Sequence, residues 1–133
     1  MPQLAADPIL VVADIHLGRK QHGDKKTGPG IDWALGTLDR GAEAGARHLV
    51  MLGDVIDRKR FTDSTYGEVA RFFQRGVELF DTVVFIAGNH DVHHDLAGII
   101  PGGVIVARQE PQTIRAGGWA LHTAAVEVDR DPR

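Results

Sequence analysis

Cysteine is absent from the 133 residues of this chain. That excludes disulfides, thiolate metal sites and a cysteine nucleophile, and leaves histidine, carboxylate and amide groups as ligands. Long apolar runs are missing too: none approaches the ~20 residues that span a bilayer, so no membrane partner is expected. Met1 to Pro8 carry neither a basic segment nor a long apolar one. They do not read as a signal peptide, which makes a cytoplasmic location the expectation. Excess charge is small, with 15 Lys and Arg against 18 Asp and Glu for a formal charge of −3. Nucleic-acid-binding domains are usually basic, which argues against one here. Two bound divalent cations, however, would reverse that sign where a phosphate would bind.

What the chain does have is 43% hydrophobic and 25% charged residues in a length suited to one domain, taken as residues 1–133. Four short apolar runs each end on potential metal ligands. Ile9 to Ala13 leads into Asp14-Ile15-His16, and His48 to Leu52 leads into Gly53-Asp54-Val55-Ile56-Asp57. Thr82 to Ala87 leads into Gly88-Asn89-His90-Asp91, and Trp119-Ala120-Leu121 leads into His122. Oxygen and imidazole donors at successive strand ends are what a carboxylate-bridged pair of divalent metals needs.

Between the first two clusters, Ile31, Leu35, Leu38, Ala42 and Ala46 recur at helical spacing, which predicts a helix over 31–48 with Asp32 as its N-cap. Glycines at 36, 41 and 45 make that helix weak by intrinsic propensity. Between the second and third clusters, Tyr66, Val69, Ala70, Phe73, Val77 and Phe80 repeat the pattern, with Thr65 and Glu68 as a capping box. Trp33, Phe72, Phe73 and Phe80 read as core or near-core. The order strand, helix, strand, helix, strand predicts an α/β fold whose βαβαβ half has parallel strands joined by right-handed crossovers. Asp14, Asp54 and Asn89 are 40 and 35 residues apart, about one βαβ repeat each. Each cluster then falls at the carboxyl end of its strand, the edge where open α/β sheets place ligands. Beyond Asp91, Val104 to Ala107, Thr113 to Arg115 and Trp119 to His122 are short strand candidates of an antiparallel segment, with a hairpin turn at Ala116-Gly117-Gly118.

As the middle strand's carboxylate, Asp54 is the expected bridge between two ions, with Asp14 and His16 completing one and Asn89 and His122 serving the other. His90 is assigned to the leaving group, with Asp91 or a nearby carbonyl setting its tautomer. A bridging hydroxide would attack phosphorus in line while protonated His90 protonates the departing alkoxide. For His122 a second reading stands beside the ligand one, a satisfied histidine of the core. Asp57 reads as structural, His93 and His94 as exposed loop residues, and Lys25-Lys26 and Arg58-Lys59-Arg60 as solvated basic runs that could meet phosphate.

These residues resemble the calcineurin-like metallophosphoesterase family, whose ordered signature is D-x-H, G-D-x-x-D, G-N-H-D or G-N-H-E, an isolated His, then G-H-x-H. Asp14 and His16, Gly53, Asp54 and Asp57, Gly88 to Asp91, and His122 match the first four motifs. The resemblance covers residues 9 to about 123 and implies a β-sandwich core flanked by helices, a phosphoesterase with two divalent ions, and the roles just given. Ala13 to Arg19 is similar to the opening of the SbcD-type DNA nucleases, whereas Arg58 after Asp57 is similar to the Asp-Arg pair of the protein-phosphatase branch. Arg19 and Arg58 are thereby candidates for the substrate phosphate. Manganese is the first expectation, with iron, zinc or magnesium as alternatives. The implied substrate is a phosphodiester, with DNA or RNA among the candidates. A cyclic-nucleotide or small-molecule phosphodiesterase, a catalytically silent metal-binding or interaction module, and a truncated fragment able to pair as a homodimer are the other readings. No histidine follows His122. The closing G-H-x-H is therefore missing, and with it the C-terminal part of the usual fold and one ligand per ion.

Overall fold

The computed structural model describes residues 6–15, 17, 30–53, 55, 63–87, 98–107 and 110–123. In chain order these form β1 (Ile9–Ala13), α1 (Gly30–Glu43), β2 (His48–Leu52), α2 (Asp63–Leu79), β3 (Thr82–Ile86), β4 (Val104–Val106), β5 (Gln112–Ala116) and β6 (Trp119–Thr123). The first four strands make one sheet in the order β1-β2-β3-β4, and β5 and β6 make a second. Neighbours in the first sheet are parallel throughout, as the alternation of strands and helices requires, because parallel neighbours need a crossover.

Strand alternation divides the core between two faces. On one, Val12, Leu49, Met51, Val83, Phe85 and Val104 pack with Ala34 and Leu38 of α1 and with Val69, Phe72 and Phe73 of α2. Both crossover helices therefore cover the same side. Phe73 centres this layer, meeting Phe72 and Phe85 edge-on with ring centroids 6.3 and 5.2 Å away. On the other face, Val50, Val84 and Ala107 pack with Ile114 of the hairpin, and Ile9, Ile86 and Leu121 join them. That cover is partial, leaving Val11, Leu52 and Ile105 exposed. Among the described residues no helix is long and apolar enough to cross a membrane.

Several local expectations are corrected. α1 stops at Glu43, not near His48, which opens β2. Asp32 lies inside the first turn of α1 and not at its cap, where its charge meets the positive end of the helix dipole. α2 begins at Asp63, so Thr65 sits within the helix, buried, and does not open it. Trp33 is 46% exposed, because it lies beside the stripe of Ala34 and Leu38 that faces the sheet. Val104–Val106 pairs parallel with β3 and extends the main sheet, while β5 and β6 form the expected antiparallel hairpin.

The glycines that weaken the helices have a packing reason. A Cβ at Gly41 would come within 2.6 Å of Leu10 Cδ2, and one at Gly76 within 2.9 Å of Leu49 Cδ2. Their bare backbone lets α1 and α2 lie against β1 and β2, and a cost of about 1 kcal/mol each in propensity is recovered in contact.

Candidate metal centre

The register of the parallel sheet makes Ala13, Leu52 and Ile86 successive partners, so β1, β2 and β3 end at one level. From that edge the sequence continues directly into Asp14, into Gly53-Asp54, and into Ala87-Gly88-Asn89. The first two exits share a backbone device. Asp14 has φ 54° and Gly53 has φ 62°, at equivalent positions one residue past the paired strand ends. For a residue with a Cβ the left-handed conformation costs about 1–2 kcal/mol, and aspartate is among the few that adopt it. A strained polar residue at a strand end is a recurrent mark of a binding or catalytic site.

Both exits are held again just downstream. The Leu17 amide donates to the Val55 carbonyl at 2.7 Å, and the Gly53 amide donates to the Ile86 carbonyl at 2.7 Å. Leu17 and Val55 are each 1% exposed. Asp14 and Gly53 thus each sit between a paired strand end and a buried anchor. Asp14 is exposed at this edge.

His122 stands on β6 opposite Thr113 of β5. Leu121 and Thr123 turn toward the sheet, and His122 faces outward with its Nδ1 2.9 Å from Thr113 Oγ1. The reading of His122 as a satisfied core histidine is therefore set aside. The remaining residues of the expected site, His16, Arg19, Asp54, Arg58, Asn89, His90 and Asp91, lie outside the described residues, as do Asp57, His93 and His94. Among the described residues no three His, Asp or Glu side chains come together closely enough to hold a metal.

Strong electrostatic pairing among the described residues is found away from this edge. Arg75 donates to Asp39 Oδ1 from Nε at 3.0 Å and from Nη2 at 2.8 Å, tying α2 to α1. Hydrogen bonds to Asp39 and then Glu78 raise its guanidinium above the ordinary arginine range. Arg47 is raised likewise, mainly by its hydrogen bond to Asp81. The described cavities are open depressions along α2 that share Arg71 and Gln74, and neither includes Asp14 or His122.

The donors that the sequence supplies at this edge are carboxylates, imidazoles and an amide oxygen, without thiolates. That set suits hard or borderline divalent cations, and an exposed strand-end carboxylate beside two anchored turns fits such ions. Two features escaped sequence reasoning. The Leu17 to Val55 contact leaves no pattern in the sequence, whereas Thr113 was within reach: a two-residue turn at Gly117-Gly118 sets Thr113 opposite His122.

The sequence profile of the calcineurin-like phosphoesterases matches residues 7–120. A comparison with curated proteins finds no match. Among solved structures, the Pseudomonas putida nuclease MPE is similar, with 26% sequence identity and a TM-score of 0.54. The likeness covers 74% of this chain and 46% of the nuclease, so the chain spans less than half the length of that relative.

Proposed function

This chain belongs to the calcineurin-like phosphoesterase family, and from that premise we propose that it serves metal-dependent hydrolysis of a phosphodiester, with nucleic acid as the first candidate substrate. The observation that carries the reading is the pair of matched strand exits at Asp14 and Gly53, held in register by β1 and β2 and anchored again at Leu17 and Val55. The nuclease likeness supports the substrate class.

Asp14 and His16 would hold one divalent ion, Asn89 and His122 a second, and Asp54 would be shared between them. When bound, such a pair supplies a nucleophile from water at neutral pH and neutralises charge developing on phosphorus. The protein's own groups then divide the remaining tasks. Protonated His90 gives its proton to the departing alkoxide, with Asp91 holding the imidazole in the required tautomer. Arg19 and Arg58 add positive charge for the non-bridging phosphate oxygens. Manganese is the proposed metal, since a mixed imidazole and oxygen donor set is poorly matched to magnesium. The proposed setting is cytoplasmic, and a homodimer is the proposed assembly.

A second reading is a silent module that keeps the family's fold and binds metal without turnover. Hydrolysis of bis(p-nitrophenyl) phosphate separates the two readings. Turnover with manganese, lost with chelator and not restored by magnesium alone, supports the enzyme; no turnover at saturating manganese in a folded sample supports the silent module.

A further inference from the structure

We infer that Thr113 is a positioning residue for His122: its Oγ1 accepts a hydrogen bond from Nδ1–H, which fixes the imidazole as the tautomer whose Nε2 lone pair is free to bind a divalent cation. The inference rests on the proposed reading of His122 as a ligand and assigns the residue that prepares it.

The hairpin geometry brings the two side chains together. Gly117 and Gly118 both have positive φ, 55° and 90°, as a two-residue turn of the primed type requires. Ala116 and Trp119 close it, and counting outward makes Ile114 with Leu121 the next hydrogen-bonded pair. Thr113 and His122 then fall on a non-hydrogen-bonded pair, the kind in which facing side chains lie closest. The separation from Thr113 Oγ1 to His122 Nδ1 is 2.9 Å. Threonine is β-branched and stiff at χ1, so its oxygen stays where the strand puts it. A hydroxyl oxygen has two lone pairs and one rotatable proton, and at this exposed position the proton can go to water.

The chain's other described histidine shows the opposite arrangement. His48 is 5% exposed, its Nε2 lies 3.0 Å from Asp7 Oδ2, and its buried Nδ1 has no hydrogen-bond partner. The nitrogen that most often meets a metal is taken there. At His122 the engaged nitrogen is Nδ1, and the ring is at the surface. An imidazole ligand whose second nitrogen donates to a fixed oxygen is oriented and made more basic, and loss of that oxygen weakens metal binding by about 10–100-fold.

The same distance would arise if the threonine hydroxyl donated to Nδ1, leaving a proton on Nε2 and no lone pair for a cation. Two-bond proton–nitrogen correlation spectra of histidine-labelled protein, metal-free and at about pH 8 where an ordinary imidazole is neutral, tell the two apart. The expected result is Nδ1–H at His122, a shift toward Nε2–H in Thr113→Val, and recovery in Thr113→Ser. Zinc, a diamagnetic probe, should move the His122 Nε2 resonance, with affinity about 10–100-fold lower in Thr113→Val and restored by serine. Nε2–H in the unaltered protein, or a valine variant with unchanged spectrum and affinity, overturns the role of Thr113 alone. An Nδ1–H ring that zinc leaves unmoved overturns the inference by removing its premise, the ligand role of His122.

Discussion

At the amino end of the main sheet, His48 is buried against Asp7, the Asp7 amide donates to the Gly117 carbonyl at 2.7 Å, and the Trp119 indole donates to the Asp7 carbonyl. A Cβ on Gly117 would strike the His48 ring. At the carboxyl end, Asp14 is exposed, and the exits of β1 and β2 pass through left-handed residues and are tied by the Leu17 to Val55 and Gly53 to Ile86 hydrogen bonds. The first end ties Asp7, His48 Nε2 and the Trp119 indole into the protein's own contacts and so joins the amino-terminal segment, β2 and the hairpin. The second end fixes its backbone firmly and keeps Asp14 at the surface, as suits a site that a ligand is to complete.

The difference can be broken from either end, and the effects should rank. His90→Asn at the carboxyl end should lower turnover by about 10²–10⁴-fold, the usual share of general acid catalysis, with metal content nearly unchanged. The loss should shrink for a substrate with a good leaving group, and equal losses for good and poor leaving groups would contradict the role. Phe73→Ala strikes the layer that supports both ends. Emptying a fully buried aromatic site should cost about 3–5 kcal/mol of unfolding free energy in urea titrations. A cost below about 1 kcal/mol would mean that the helices are not packed on the sheet in this way.

His48→Ala acts at the amino end, where it removes the ring from its contact with Asp7. We expect a loss of about 1–3 kcal/mol, the range for breaking a buried polar contact, with metal affinity of the folded protein altered less than about tenfold. A large fall in affinity with little change in melting would mean that the amino end controls the site directly, and the contrast between the two ends would fail.

Much of this architecture was legible because its signals are periodic. Ile9 to Ala13, His48 to Leu52 and Thr82 to Ile86 are short apolar runs separated by helical spacing, and parallel pairing follows from that order. Helix starts were misplaced because capping preferences are weak local signals: Asp32 and Thr65 suit a cap, yet α1 and α2 begin at Gly30 and Asp63. The three residues of β4 could not be told from a hairpin strand, since Val104 to Val106 is too short to show an alternation and its partner is decided by packing on β3. The order of metal-ligand types along the chain was readable, but how strand exits are pinned was not. A contact such as Leu17 with Val55 joins residues 38 positions apart, and nothing in either segment announces the other. His122 shows the limit most clearly. Its place after Trp119-Ala120-Leu121 allowed a core or a ligand reading, and only strand pairing with Thr113 turned it outward.

The central proposal is that the carboxyl end of this sheet holds two metal ions, with Asp54 as the shared carboxylate. Calorimetric titration of manganese into the unaltered protein and into Asp54→Asn, with thermal melts of the same samples, tests it most directly. The account predicts manganese binding and a manganese-dependent rise in melting temperature for the unaltered protein, because a cation that binds only the folded state stabilises it. Both should vanish in Asp54→Asn, together with turnover. Manganese binding and most of the turnover retained in that variant would contradict it.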